Sequence, residues 1–329
     1  MFRPNDITPL EFDVTKDGVT QSLLTSWMRC ETLARLKLKG WHKPSASEAI
    51  IFGNYFHEYL DVLLNMYKNN DFTDPDDLND KQFMFRINNL ISRRFAQDFE
   101  KADPEQKILM TNLQSLVSAV IPVYFEYWRE DFFGTNVKNW TQIEQEFSID
   151  YHGVKWRGKR DGAYKNVHGE EWLFETKTKS RFNEDVLQSI IPHDFQVLSY
   201  MLSHRIETKR NFKGVLYNVV RKPQLRKSTS ENYASFIKRC LVDIRKRPQW
   251  YFNRYEVVIP EIKIVNFETI FIKKLYMFQQ WLKSMEELDL KSTHQCTNVY
   301  GTCEMLDACM NNQYHNLTMK TKHHSELGE

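Results

Sequence analysis

The sequence predicts an α/β chain with a mixed central β-sheet flanked by helices, a helical N-terminal layer and a Cys-rich C-terminal tail. Three observations predict it. Apolar residues recur at helical spacing early in the chain, as in Phe52, Phe56, Tyr59, Leu60 and Leu63. Short alternating runs typical of strands follow over 141–150, 153–165 and 171–178. Cysteines then gather near the end, at Cys296, Cys303 and Cys309. Helices first, then strands interleaved with helices, read as a sheet covered by helices.

Taken in order, residues 1–19 are polar and read as an irregular N-terminus. A helix starts after Thr20 or Ser22 and carries Leu23, Leu24, Trp27, Met28 and Leu33; a second runs from about Ser47 to Tyr67. Residues 71–80, with Pro75, form a loop and helix start. Two more helices cover about 80–100 and 105–130. After the three strands, a helix fits 193–206, a strand Gly214–Val220, a helix 230–247, a strand Tyr255–Ile264 and a helix about 266–287. The organisation is an N-terminus (1–19), a helical part (20–135), a core (136–290) and a tail (291–329).

Composition sets bounds. With 329 residues, 41% of them apolar and 14% aromatic, the chain can pack a sizeable core, which excludes wholesale disorder. The net charge of +2 implies no partner by itself, but its distribution is uneven. Residues 205–227 carry Arg205, Lys209, Arg210, Lys213, Arg221, Lys222, Arg226 and Lys227 against Glu207; residues 238–254 carry Lys238, Arg239, Arg245, Lys246, Arg247 and Arg254 against Asp243. Aspartates concentrate elsewhere, at 71, 74, 76, 77 and 80. That separation suits a polyanion-facing side; ordinary solvated faces are the alternative. No run of ~18 apolar residues is present, so no membrane span is expected. Residues 1–6 lack the apolar core of a signal peptide, so an intracellular, cytoplasmic location is expected. Five cysteines there read as metal ligands or core residues rather than disulfides.

The central motif is Arg160-Asp161-Gly162 followed by Glu175-Thr176-Lys177. Between them lies Asn166-Val167-His168-Gly169-Glu170, a turn-rich stretch. In an antiparallel hairpin, paired positions sum to a constant. Asp161 and Glu175 sum to 336, which centres the turn on His168 and sets the two carboxylates opposite each other. Glu175 and Lys177 are two apart on one strand and share a face. Two carboxylates so close repel unless a cation sits between them. Mg²⁺ or Mn²⁺ suits oxygen ligands and keeps several waters; Lys177 could orient or deprotonate an attacking water or stabilise charge on phosphorus. An exposed hairpin with a cross-strand salt-bridge cluster is the alternative.

With these residues in order, the chain resembles the PD-(D/E)XK nuclease superfamily, specifically its RecB-like branch. Gly53-x-x-x-His57 lies upstream on a helix, and the resemblance implies that His57 is a metal ligand. Asp161 and Glu175-x-Lys177 follow, then Gln196-x-x-x-Tyr200, i and i+4 on one helix face. The likeness spans about residue 22 to residue 310; Arg160 stands where the superfamily name has proline. It implies a restriction-endonuclease-like core, catalytic Asp161, Glu175, Lys177, Gln196 and Tyr200, and metal ligands His57, Asp161, Glu175 and Thr176. Gln196 and Tyr200 could bind substrate phosphate or brace Lys177.

Cys30, with Cys296, Cys303 and Cys309, offers four thiolates, a set that suits an iron–sulfur cluster or zinc. One early and three late resembles the iron–sulfur subgroup of RecB-like nucleases, which includes CRISPR-associated exonucleases and the AddB-type subunit, and implies a 4Fe–4S cluster joining the chain ends. Cys303-x5-Cys309 matches that pattern; Cys296-x6-Cys303 is longer than the usual two-residue gap. Zn²⁺ on the same ligands, with His294 replacing one, is the alternative, and reduced core cysteines a third. Cys240 reads as a helix core residue.

The expected activity is metal-dependent hydrolysis of DNA phosphodiester bonds, by an exonuclease that leaves a 5′-phosphate and a 3′-hydroxyl. Arg221, Lys222, Arg226 and Lys227 are candidates for DNA backbone contacts, and Trp250 and Tyr251 for base stacking. A non-cleaving nucleic-acid-binding protein of the same fold and a site-specific endonuclease are the competing functions. The sequence carries no Gly-x-x-x-x-Gly-Lys-Ser/Thr loop, so a helicase or recombination partner would be a separate protein. Phage recombination, CRISPR adaptation and repair are the settings that a prokaryotic-type nuclease of this kind implies.

Overall fold

Thr20 ends a two-residue strand, β1 (Val19–Thr20), and caps the first helix by accepting a hydrogen bond from Leu23 N at 3.2 Å. The computed structural model describes residues 10–44, 46–284, 291–298, 301–324 and 327. Residues 1–9 of the expected irregular N-terminus (1–19) and the end of the 266–287 helix lie outside the described residues. The helices α1 (Gln21–Arg29) and α2 (Glu31–Leu38) lead through β2 (Trp41–His42) to α3 (Glu48–Lys68), which Ser47 caps. Then come α4 (Lys81–Arg94), α5 (Ala96–Lys101), α6 (Pro104–Tyr127) and α7 (Glu130–Phe133). Part of the aspartate cluster is explained here. Asp74 closes a capping box on the turn at Pro75–Asn79, and Asp80 caps α4.

The strands β3 (Asn139–Tyr151), β4 (Val154–Lys165) and β5 (Glu171–Lys179) follow as expected. Next are α8 (Glu184–Ile190), which the sequence reading lacked, and α9 (Phe195–Thr208). Then β6 (Gly214–Arg221), α10 (Tyr233–Lys246), α11 (Pro248–Tyr251), β7 (Phe252–Val258) and α12 (Glu261–Ser284) complete the core. The expected strand at 255–264 stops at Val258. Pro260 and an acid at Glu261 start α12 there instead, a helix-opening pattern. The tail holds β8 (Thr297–Asn298), β9 (Gly301–Thr302), α13 (Leu306–Asn311) and β10 (Thr318–Met319).

The sheet runs β1-β4-β5-β6-β7, with β3 on the other edge of β4. It is mixed: β3–β4, β4–β5 and β6–β7 are antiparallel, whereas β1–β4 and β5–β6 are parallel. Both faces are buried. Trp172, Phe174, Leu216 and Val220 face α3, α6 and α10; Leu173, Val215, Tyr217 and Val219 face α1, α9 and α12. That is period-two packing on two sides. The N-terminal helices α3, α4 and α6 form a helical layer on one face, while β1 joins the sheet and α1 packs on the face opposite α3.

Among the described residues one helix, α6, is long and apolar enough to match a membrane span, and 67% of that window is buried inside the fold. Its apolar surface on all sides is that of a core helix.

Because β3 runs the length of β4 on one edge, β1 and β5 share the other. β1 pairs with Trp156 and Arg157, and β5 begins only at Gly162. On that edge the intervening stretch of β4 has no strand among the described residues, and Asp161 lies there.

Candidate active site

The β4–β5 ladder pairs Gly162 with Phe174 and Lys165 with Glu171, so the pair sum is 336, as the sequence reading expects. Asn166 organises the turn: its side-chain oxygen accepts from His168 N and Glu170 N, and Gly169 takes φ +76°. The ladder ends one pair short of Asp161 and Glu175. There the strands part, and Thr176 N donates to Asp161 Oδ2 at 2.7 Å instead of to the neighbouring strand.

Four elements converge on this split. Lys177 Nζ donates to Glu175 Oε1 at 2.5 Å and to Gln196 Oε1 at 2.8 Å, and Gln196 Nε2 donates to Tyr200 Oη at 3.1 Å. Gln196 and Tyr200 on α9 therefore brace the ammonium. From the other face comes His57 on α3, whose Nδ1 lies 3.7 Å from Asp161 Oδ1. A Cβ on Gly53 would meet Thr178 Oγ1 at 2.9 Å, so the glycine lets α3 press onto β5.

Sequence reasoning missed Glu144. Its Oε1 lies 3.6 Å from His57 Nδ1, and its Oε2 accepts from Lys159 Nζ at 2.6 Å. The potential metal-binding atoms of His57, Glu144 and Asp161 all lie within 4.8 Å of one another. Glu144 sits across from Asp161, since Ile143 pairs with Gly162 and Gln145 with Arg160. Its φ of +46° is a left-handed conformation that a glutamate rarely adopts.

The electrostatics follow from this crowding. Burial raises the Asp161 carboxyl above its usual range, and Glu144 adds to the effect. Burial and the nearby Asp161 raise Glu175 as well. Burial works against the Glu144 carboxylate, but His57 and Lys159 outweigh it and hold its pKa low. Burial alone would lower His57, yet Asp161 and Glu144 hold it up at about 8. Burial likewise works against the Lys177 ammonium, but Glu175 and Asp161 raise its pKa and so favour the charged form.

The donor set suits a hard divalent cation. Glu175 is fully buried, and its Oε2 has no hydrogen-bond partner among the described residues. An orphaned carboxylate oxygen near the Asp161 carboxylate is one that such an ion could satisfy, although Glu175 lies outside the closer group of His57, Glu144 and Asp161. The Thr176 hydroxyl accepts from Asn218 Nδ2 at 3.2 Å, on the opposite face of β5 from the Glu175 and Lys177 side chains. Behind it, Arg254 donates to Asn218 Oδ1 at 3.1 Å and to Tyr124 Oη at 2.7 Å and pairs with Asp131.

Most of the basic stretch is not a free DNA-facing surface. Arg221 is 5% exposed, lies between the Phe182 and Trp250 rings and pairs with Glu184. Lys222 is buried against Glu48. Arg239, Arg245 and Arg247 pair with Glu231, Glu126 and Asp243. Tyr251 is buried and hydrogen-bonded to Asp243, so it cannot stack a base. Trp250, 51% exposed, and the exposed Arg226 remain accessible.

Cys30, at the α1–α2 junction, lines one cavity with Cys296, Cys303 and Cys309, and with Leu33, Met305 and Leu306. Cys303 N donates to Cys296 O at 2.7 Å, and β2 pairs with β10, so the two ends of the chain meet here. His294 is exposed and does not line the cavity. A single zinc ion holds thiolates at about 2.3 Å, hence close together; no three of these sulfurs approach within 4.8 Å of one another among the described residues. Cys240 is fully buried in the α10 core, as expected.

Fold and site define a mixed α/β protein with a carboxylate–histidine–lysine centre at a split in its sheet. No family model matches the chain, and no curated protein matches it in sequence. Among solved structures it is similar to a candidate exonuclease from Eubacterium rectale, at 13% identity and a TM-score of 0.47, over 93% of this chain and 90% of that one.

Proposed function

We propose that this chain is a metal-dependent nuclease of the RecB-like PD-(D/E)XK branch that hydrolyses DNA phosphodiester bonds, acting as an exonuclease. One observation carries the reading: where β4 and β5 part, His57 of α3 lies against Asp161 and Lys177 pairs with Glu175, a fully buried carboxylate whose Oε2 has no hydrogen-bond partner among the described residues.

His57, Asp161 and Glu175 would hold Mg²⁺ or Mn²⁺. When bound, that ion would supply Lewis-acid polarisation of a phosphoryl oxygen and a more acidic water. The Lys177 ammonium is placed to orient the attacking water and to stabilise negative charge growing on phosphorus. Gln196 and Tyr200 hold Lys177 in position, and Thr176 N fixes the Asp161 carboxylate. Burial of Glu175 keeps water from screening these charges. Trp250 and Arg226 are the accessible candidates for DNA contact.

The four cysteines are proposed to hold a 4Fe–4S cluster. The four line one cavity where the two ends of the chain meet, which supports this reading; Zn²⁺ on the same thiolates is the alternative. A cytoplasmic, prokaryotic or phage setting and a separate helicase or recombination partner complete the proposal.

The test is incubation of end-labelled single- and double-stranded DNA, and of closed circular DNA, with Mn²⁺. Linear DNA should be shortened from its ends and the circle should persist, with no cleavage by Asp161→Ala. Binding without cleavage would make the protein a non-cleaving binder; discrete fragments from the circle would make it an endonuclease.

A further inference from the structure

Glu144 has no part in the chemistry assigned so far, yet it stands closer to His57 than Asp161 does, at 3.6 Å against 3.7 Å. Its two oxygens have different surroundings. Lys159 holds Oε2 at 2.6 Å, and Oε1 is turned to the space shared by His57 and Asp161. A carboxylate with one oxygen pinned by a hydrogen bond and the other aimed at an imidazole and a second carboxylate is an oriented ligand. The set also joins the rest of the site. Asp161 turns Oδ1 to His57, while its Oδ2 accepts from Thr176 N, beside Glu175. The ligand-capable atoms of His57, Glu144 and Asp161 lie within 4.8 Å of one another, and Glu175, next to Thr176, is fully buried with Oε2 lacking a partner among the described residues.

We infer that Glu144 is a direct ligand of the divalent cation, completing with His57 and Asp161 a three-point site for Mn²⁺ or Mg²⁺. This rests on the metal-dependent reading above and adds a ligand from β3, a strand that the Asp–Glu–Lys motif does not reach. One nitrogen and two carboxylate oxygens on one side of an ion leave its other positions to Glu175, water or phosphate oxygen.

The test uses the full chain and Mn²⁺ alone, without DNA. Mn²⁺ titration followed by electron paramagnetic resonance should show Glu144→Gln binding weaker by more than about tenfold, with its thermal melt confirming a folded chain. Electron-spin-echo modulation of bound Mn²⁺ should report one imidazole in the wild type, none in His57→Gln and two in Glu144→His. That last count separates a ligand from a residue that merely orients His57. Unchanged Mn²⁺ affinity in folded Glu144→Gln, or a single imidazole in Glu144→His, would overturn the inference. Wild type that binds Mn²⁺ through Glu144 but never cleaves DNA would sink the nuclease reading and leave this one standing.

Discussion

Thr176 donates its backbone N–H to Asp161 Oδ2 at 2.7 Å at the point where β5 leaves β4. The bond converts a break in the sheet into a holder for one carboxylate. It also places the next residue, Lys177, and the previous one, Glu175, on the opposite face of β5 from the Thr176 side chain. A two-residue alternation thus sorts the strand into a support side, with Asn218 and Arg254, and a reactive side, with Gln196 and Tyr200.

Lys177→Met should abolish most cleavage. Loss of one preorganised electrostatic group typically costs about 10²–10³ in rate. Single-turnover cleavage at saturating Mn²⁺ measures it; a loss below tenfold would remove Lys177 from the chemistry. The variant also leaves Glu175 buried without its cation, so its melting temperature should fall.

Tyr200→Phe should have a smaller effect, because it removes only the hydroxyl that accepts from Gln196. About 1 kcal/mol, or roughly fivefold in kcat, is expected from one lost hydrogen bond. KM for DNA should stay constant, since the residue is buried; a rise in KM alone would instead place Tyr200 at the substrate.

The register of the site was legible and its third acid was not, for a physical reason. The Asn166–Glu170 turn fixes one pair sum, so Asp161 and Glu175 could be matched from sequence. Glu144 needed a second turn to be recognised. His152 and Gly153 take φ +47° and +78°, the two-residue hairpin geometry that pairs Tyr151 with Val154 and gives a sum of 305. That sum sets residue 144 across from 161. His-Gly is a weaker signature than Asn-Gly, and a left-handed glutamate has none. The partners of the basic stretches were hidden for the opposite reason. Glu48, Glu126 and Glu184, which neutralise Lys222, Arg245 and Arg221, are distant in sequence.

Acid should destabilise the protein through His204. The ring is 1% exposed and stacks on Phe212 at 3.8 Å. Burial, with Arg160 and Arg210 adding repulsion, lowers its pKa from 6.5 to about 4. Glu171 lies 3.5 Å away without a hydrogen bond and does not offset this. Between those values the unfolded chain binds a proton and the folded chain does not. Stability is therefore full above the upper value and falls as pH drops toward the lower one, by on the order of 3 kcal/mol. Urea midpoints for wild type and His204→Phe at several pH values check it; an equally steep acid loss in the variant would exclude His204.

Cys303→Ser should lose visible absorbance at about 400 nm and melt at a lower temperature, because the cluster would join both chain ends. Anaerobically purified wild type that is colourless and contains zinc would replace the cluster with a zinc site.

The most direct measurement is anomalous diffraction at the manganese edge from crystals of the wild-type protein soaked in Mn²⁺. A peak bounded by His57, Asp161 and Glu175, absent from Asp161→Ala crystals, is the predicted result. No peak there at a Mn²⁺ concentration that supports or should support cleavage would contradict the metal centre on which the function rests.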